Sequence, residues 1–242
     1  MNPSATLPAP TVTTQMLSPL PTLTGKALDL AVAELLENPM NCEVPCWWGA
    51  IPGITTINEI KYSLAPYNFG IYEYEEYGEV IHVRLDIEYV GEKDSHEFWV
   101  VYNFSNSALS GVTAYSPTLS EFLTRHRSPD EIWLETMSVE RETLPVRLNM
   151  VYLQEGIAVG YVVDGDIQDG MVVGCFAGEE IGKLRLITPN ATSYKDFSPV
   201  FEEDRHYLLL EEATSLTIED FMQRFSDPTQ PQCIETPAEL WE

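Results

Sequence analysis

The sequence predicts an α+β protein in which short helices are each followed by an antiparallel meander of strands. Two observations support this class. The pattern of Thr, an aliphatic residue, any residue and an acidic residue opens three segments, at Thr56, Thr118 and Thr217, and is typical of a helix N-terminus. Alternating apolar and polar residues follow the first two segments, as expected for strands with one buried face. We therefore expect two tandem modules, each an N-terminal helix plus an antiparallel sheet, with an added C-terminal helix and tail.

The chain of 242 residues divides by composition into four parts. Residues 1–24 are rich in Ser, Thr and Pro, which is typical of a disordered tether. Residues 25–115 form the first predicted module, and residues 116–190 form the second. Residues 191–242 are predicted to be a C-terminal helix and tail packed on the modules.

The predicted helices have recognisable starts. Gly25 to Asn38 carries apolar residues at helical spacing and ends before a proline. In the three segments that begin with Thr, the hydroxyl can accept a backbone N–H, and the acidic residue favours the positive end of the helix. The second and third copies match at further positions with a constant offset of 99 residues, from Thr118 to Thr217. That match indicates a repeated element.

Strand predictions depend on alternation and on turn residues. In the first module, apolar and polar residues alternate from Ile81 to Tyr89, which predicts a strand with one face in water. Asp164-Gly165-Asp166 in the second module is predicted to be a hairpin turn. The other predicted strands are Glu97 to Phe104, Gly111 to Tyr115, Glu131 to Met137, Leu144 to Leu153, Ile157 to Val163, Met171 to Phe176 and Leu184 to Thr188.

The most distinctive segment is Cys42-Glu-Val-Pro-Cys46-Trp47-Trp48-Gly49. The chain has four cysteines and no histidine close to any of them in sequence, which favours two disulfides over a metal site. We expect Cys42 to pair with Cys46, and Cys175 with Cys233. The alternative pairing joins the Cys42–Cys46 segment to Cys233. Disulfides indicate an oxidising compartment.

The composition is strongly acidic, because 13 Lys and Arg residues stand against 38 Asp and Glu residues for a net charge of −25. Binding to nucleic acid or to an anionic membrane surface is not expected, since phosphate recognition requires a basic face. The acidic residues are expected to form a solvated surface. The sequence has no run of 18 apolar residues, so no transmembrane helix is predicted.

We expect the protein to be secreted or anchored to the outer face of the cell membrane. Residues 1–24 lack the basic and apolar regions of a signal peptide. A tether rich in Thr and Pro before a cross-linked domain is typical of the segment that follows the lipidated cysteine of a bacterial surface lipoprotein. We therefore interpret Met1 as replacing an export signal that was removed when the chain was defined.

Two family resemblances follow from these motifs. Pro52-Gly53-Ile54-Thr55-Thr56, followed by an acidic helix and a strand meander, resembles the start of the SmpA/OmlA-like modules of bacterial envelope lipoproteins. The β-lactamase-inhibitor-protein fold is built from similar units. This resemblance implies an α+β fold and protein binding. The envelope lipoproteins carry one module, whereas two are predicted here, so their binding surfaces are not transferred.

The second resemblance spans both ends of the predicted folded part. Cys46-Trp47-Trp48-Gly49, taken with the ending from Cys233 to Trp241, resembles uncharacterised extracytoplasmic proteins of Chloroflexota-type bacteria. It implies a location outside the cytoplasm and no known activity.

The sequence lacks the motifs of common enzymes. It has no nucleophile elbow, phosphate-binding loop, dinucleotide fingerprint or zinc-protease motif. The four histidines are scattered, so no oriented base is predicted for a nucleophile. The stretch from Asp164 to Gly170 resembles a calcium loop, but Gln168 and Cys175 occupy its fifth and twelfth positions. No catalytic, cofactor-binding or metal-ligating residue is therefore predicted.

Aromatic residues provide the candidate recognition surface. Trp47 and Trp48 are expected to cover the core, with the alternative that one of them is exposed as an anchor. Tyr72 and Tyr74 lie in an aromatic and acidic strip that suits a protein or glycan surface. We expect non-catalytic binding or scaffolding, with another envelope or extracellular protein as the partner. The alternatives are a cell-wall or glycan hydrolase with paired carboxylates and a secreted enzyme inhibitor.

Overall fold

A single antiparallel sheet organises the protein. The structure, a computed structural model, describes residues 20–37, 46–67, 69–76, 80–90, 95–105, 108–137, 144–176, 181–197, 205–227 and 231–241. Within these ranges, eleven strands form one sheet, and the helices pack against one of its faces. The arrangement confirms the predicted α+β class.

The strands follow the alternation of the sequence closely in the middle of the chain. They are β1 (Gly70–Glu76), β2 (Val80–Val90), β3 (Ser95–Ser105), β4 (Ala108–Thr118), β5 (Glu131–Met137), β6 (Leu144–Tyr152), β7 (Ile157–Gln168), β8 (Met171–Phe176), β9 (Ile181–Ile187), β10 (Arg205–Leu209) and β11 (Gln232–Pro237).

The helices are short, and two of them have the predicted caps. In these two, the Thr56 and Thr217 hydroxyls accept the N–H groups of Glu59 and Asp220, whose carboxylates accept the Thr N–H groups in return. The helices are α1 (Lys26–Glu37), α2 (Ile57–Leu64), α3 (Leu119–Arg125), α4 (Leu210–Ala213) and α5 (Ile218–Phe225). No helix in the described ranges is long and apolar enough to cross a membrane.

The two halves of the chain meet where β4 pairs with β9. The strand order is β1-β2-β3-β4-β9-β7-β6-β5-β10, while β8 pairs with the outer part of β7 and carries β11. The sheet therefore continues without interruption across the predicted module boundary at residue 115. A helix followed by antiparallel strands does occur twice, but the division into two modules stays a prediction.

The predicted turn at Asp164-Gly165-Asp166 is wrong, because β7 runs through it to Gln168. The turn lies at Asp169 and Gly170, which have positive φ values of 50° and 78°, as in a two-residue hairpin turn. Gly165 serves close packing instead. A Cβ on it would lie 2.7 Å from Val146 Cγ2 and 2.9 Å from the Leu144 carbonyl oxygen.

The C-terminal part contains more sheet than the sequence analysis predicted. The helix at 218–225 is confirmed, but the residues around it also form strands. β10 pairs with β5 at the edge of the sheet, and β11 pairs with β8. Both strands are only five or six residues long, so alternation gave too weak a signal to identify them.

The two faces of the sheet differ in composition. On one face, side chains such as Leu134, Leu148 and Tyr161 pack with α1, α2, α3 and α5 in the main core. The same repeat position in α3 and α5 supplies Phe122 and Phe221, which are both buried in this core. The opposite face carries a small second core around Val151, Ala158, Tyr194 and Phe197. The candidate site lies on this second face.

The Cys175–Cys233 disulfide confirms one of the expected pairings and joins directly opposite residues of β8 and β11. Cys46 is buried and disulfide-bonded, while Cys42, its expected partner, lies outside the described residues.

Removing the Cys175–Cys233 link by a double Cys→Ala change is expected to lower the free energy of unfolding by about 2–4 kcal/mol, since the bond closes a long loop in the unfolded chain. The two cysteines are separated by 58 residues. Urea unfolding of the oxidised wild type and the variant measures the difference. An unchanged unfolding midpoint would contradict the expectation.

Candidate functional site

A cavity of about 700 Å³ lies on the sheet face opposite the helices. Its floor consists of side chains from β4, β6, β7 and β9, the strands on either side of the junction between the two halves. One wall is the short 3-10 turn Tyr194–Asp196 together with Phe197. The cavity therefore combines residues that are far apart in sequence.

Small residues make room for the cavity. Gly111, Ala158 and Gly160 lie in its lining, where larger side chains would project from the sheet. Gly160 is opposite Asn149 on the neighbouring strand. A Cβ on Gly160 would lie 2.7 Å from the Asn149 Oδ1 atom, so only glycine allows this amide to lie across β7.

The wall is held by aromatic packing. Tyr194 is buried, and its ring stacks on Trp133 of β5 with the ring centroids 5.9 Å apart. Burial, the largest cause, raises the pKa of Tyr194, with a further contribution from the Glu135 carboxylate. The phenol is therefore neutral, and the 3-10 turn is fixed to the sheet by packing at one side of the cavity.

Three cations line the cavity in a chain that has only 13 Lys and Arg residues. They are Arg147 on β6 and Lys183 and Arg185 on β9. Alternation places all three on the same face, and the register sets Lys183 opposite Gly160 and Arg185 opposite Ala158. Partial burial, followed by the charges of Arg185 and Arg147, lowers the pKa of Lys183. The three positive groups are thus close enough to repel one another.

Both guanidinium groups have fixed positions. Arg147 Nη1 donates to the two carboxylate oxygens of Glu135 at 3.0 Å each, and this carboxylate is almost fully buried. Arg185 Nη1 donates to the Phe197 carbonyl oxygen at 2.9 Å, which ties the wall to the floor. The cations are therefore part of a preorganised surface.

Asn149 adds a donor that has no partner in the protein. The residue is 6% exposed and lines the cavity. Its Nδ2 atom is buried without a hydrogen-bond partner. An unpaired buried polar group costs about 1–3 kcal/mol, so this amide lowers the stability of the protein unless an acceptor reaches it.

The carboxylate at the cavity accepts hydrogen bonds from residues of its own loop. Among the described lining residues, Asp196 has the only carboxylate. Its Oδ2 atom accepts hydrogen bonds from Thr192 N, Thr192 Oγ1 and Ser193 N at 2.6, 3.0 and 3.2 Å. These bonds, led by the backbone N–H of Thr192, lower the pKa of Asp196 and keep it ionised.

Trp47 and Trp48 cover the core as expected, and the alternative of an exposed tryptophan anchor is wrong, because they are 4% and 7% exposed. Both belong to the main core on the helix side of the sheet, and Trp48 Nε1 donates to the Leu35 carbonyl oxygen at 2.8 Å. Trp48 and Gly49 have positive φ values of 50° and 81°. The segment is therefore a tight turn that seals the core beside α1.

The other predicted recognition residues lie on β1. Tyr72 is opposite Arg84 and Tyr74 is opposite His82 in the β1–β2 register. Their side chains lie outside the described part of the structure, so their role in recognition stays a prediction. No group of three potential metal ligands occurs among the described residues.

A pair of carboxylates lies in an ion-pair clamp around Arg127. Asp130 and Glu155 contact this guanidinium at 3.0 and 2.7 Å, and Asp130 also accepts the Leu153 N–H at 2.8 Å. Hydrogen bonds from Arg127 are the largest cause of the lowered pKa of both carboxyls. An acid and base pair requires pKa values shifted apart, whereas these shift together. The clamp therefore holds the β6–β7 turn in place.

Sequence reasoning missed the cationic cluster. The available signal was Arg147-x-Asn149 and Lys183-x-Arg185, where polar residues recur with a period of two. The first pair lies on a predicted strand, and the second begins one residue before the predicted strand Leu184 to Thr188. It could show that each pair shares a face. It could not show that β6 and β9 lie on either side of β7.

Asn149→Leu is expected to raise the free energy of unfolding by about 1 kcal/mol, because it replaces an unpaired buried amide with an apolar group of similar shape. Urea unfolding of the empty protein measures the change. Destabilisation of similar size would show that the amide is satisfied within the protein.

The Arg127 clamp is expected to stabilise the protein at neutral pH and to lose its effect in acid. The ordinary pKa values of Asp130 and Glu155 are 3.8 and 4.5, and both are lower in the folded state. Their stabilising contribution is thus complete above these ordinary values and is lost as pH falls through the lowered ones.

Arg127→Met should therefore lower the melting temperature at about pH 7 and should have a smaller effect at about pH 2, where both carboxyls are protonated. Arg125→Met, on the adjacent helix, is the control for loss of one positive charge. Equal destabilisation by Arg127→Met at both pH values would contradict the role of the ion pairs.

Comparison of the chain with protein-family models, with curated proteins and with solved structures found no match. The resemblances to envelope lipoproteins and to extracytoplasmic proteins therefore stay predictions, and the geometry of the cavity is the basis for proposing a function.

Proposed function

We propose that this chain is a non-catalytic binding protein that works outside the cytoplasm and holds a small molecule in the cavity on the open face of its sheet. The observation that carries the proposal is the cavity itself. Its volume of about 700 Å³ falls within the range of roughly 300–1,000 Å³ that is typical of small-molecule sites. Its lining is about half polar and half apolar, and the fixed polar groups are of the kind that orient a ligand in such sites.

The fixed positions of the polar groups support binding over chemistry. Arg147 and Arg185 are each held by a partner within the protein, and Asp196 is held by its own loop. Preorganised donors bind a ligand without a large ordering cost. The hydrolase alternative has no comparable support, since the Arg127 clamp shifts both of its carboxyl pKa values in the same direction.

A location outside the cytoplasm is supported by the Cys175–Cys233 disulfide. Such bonds persist in oxidising compartments and are rare where thiols are kept reduced. Attachment to the outer face of the membrane, the two-module division and a protein partner are further expectations of the sequence. Each of them stays a prediction.

The binding proposal is tested with the fluorescent dye anilinonaphthalene sulfonate, which has a small aromatic body and one sulfonate. We expect saturable binding at one site. Val162→Trp should abolish it, because Val162 lines the cavity, is 45% exposed and leaves room for a larger ring that fills the space.

Ile167→Trp is the matched control. Ile167 is also on β7 and is 51% exposed, but alternation places it on the other face, away from the cavity. Dye binding in this variant should equal that of the wild type. Equal binding by both variants, or no saturable binding by the wild type, would contradict the proposal.

A further inference from the structure

We infer that the ligand of the cavity carries one oxyanion headgroup, held by Lys183, Arg185 and the Asn149 amide, on a compact body that is partly apolar. The inference rests on the proposed function and names the chemical class of its ligand. It depends on three independent features: local charge, an unpaired donor, and the shape of the lining.

The local charge is opposite to that of the whole chain. Arg147, Lys183 and Arg185 bring three positive charges to the cavity, while Glu135 and Asp196 bring two negative charges. Among the described lining residues, three cations therefore stand beside a single carboxylate, in a protein whose net charge is −25. Such a local excess of basic side chains favours a bound anion.

The unpaired donor points to the same chemistry. Asn149 Nδ2 is buried at the cavity without a hydrogen-bond partner in the protein. Register places Asn149 and Lys183 on either side of Gly160, a residue without a side chain, and the Asn149 Oδ1 atom lies over this glycine. An oxyanion offers several acceptor lone pairs to such donors, and hydrogen bonds that involve charged groups are the stronger ones. A bound oxyanion would satisfy the amide and reduce repulsion among the cations.

The remaining lining describes the rest of the ligand. Val162, Ile187, Phe197 and the Tyr194 ring provide apolar and aromatic walls. Asn103, Ser110 and Thr113 add uncharged polar groups. A long polyanion is disfavoured, because the acidic surface of the protein would repel every charge that lies outside the cavity. The combination favours a small amphiphilic molecule with a single anionic group, either a carboxylate or a phosphate.

The test compares two probes that differ by one charged group. Anilinonaphthalene sulfonate carries a sulfonate that stands in for the headgroup, whereas phenylnaphthylamine has a similar aromatic body without it. We expect the sulfonate probe to bind at least about tenfold more tightly, since a charge-assisted hydrogen bond contributes enough for this ratio.

Lys183→Met should weaken binding of the sulfonate probe by about five- to tenfold and leave binding of the neutral probe unchanged. Lys61→Met is the matched control, because it makes the same substitution and the same change in net charge far from the cavity. This control should change the affinity for either probe by less than about twofold, given the weak effect of distant screened charges. Thermal unfolding confirms that each variant is folded.

Competition then distinguishes the two headgroups. At constant ionic strength, inorganic phosphate and acetate are each added to the complex with the sulfonate probe. Displacement by at least one of them is expected, and the better competitor identifies the headgroup. Failure of both to displace the probe would overturn the inference.

The results distinguish failure of this inference from failure of the proposed binding function on which it rests. If both probes bind equally and Val162→Trp blocks both, the cavity is a binding site, but the inference of an anionic ligand is wrong. If Val162→Trp blocks neither probe, the proposed function itself is wrong. If Lys183→Met and Lys61→Met weaken binding of the sulfonate probe equally, the effect comes from net charge, and the inference is wrong.

Discussion

The pairing of β4 with β9 is the contact on which the rest of the structure depends. It joins the first four strands to the remainder, with Val112 opposite Leu186 and Thr113 opposite Arg185. The first of these pairs contributes to the core beneath the helices. The second faces the cavity. Because neighbouring residues of a strand point to opposite faces, one ladder of hydrogen bonds aligns both surfaces at once.

This shared register connects stability to function. The face under the helices is filled by large apolar side chains, which provide most of the folding energy. The opposite face carries glycines, an alanine and three cations near the same junction. These residues bury little apolar surface, and Asn149 Nδ2 is left unpaired. Residues that lower stability are characteristic of functional sites, where a protein departs from the local rules that favour folding.

Net charge and local charge act on different scales. A surplus of 25 negative charges keeps the protein soluble and repels polyanions. Within the cavity, however, the nearest groups decide the interaction, because charges beyond about 10 Å are largely screened at physiological salt. Arg147 is positioned by the buried carboxylate of Glu135, and Arg185 by the carbonyl oxygen of Phe197. A basic site can therefore exist in an acidic protein without contradicting its composition.

The sequence by itself determined the class, most of the elements and one disulfide. Thr56 and Thr217 mark helix starts because capping is local, and alternation located β5 to β9 because strand faces repeat every second residue. Local rules were insufficient at Gly165, where the glycine allows close packing of strands. They also left open whether Trp47 or Trp48 is exposed, because burial of these side chains depends on distant residues. Only the tertiary structure decided that Lys183 and Arg185 lie near Asn149, because strand order, which sequence periodicity does not encode, brings β6 and β9 to either side of β7.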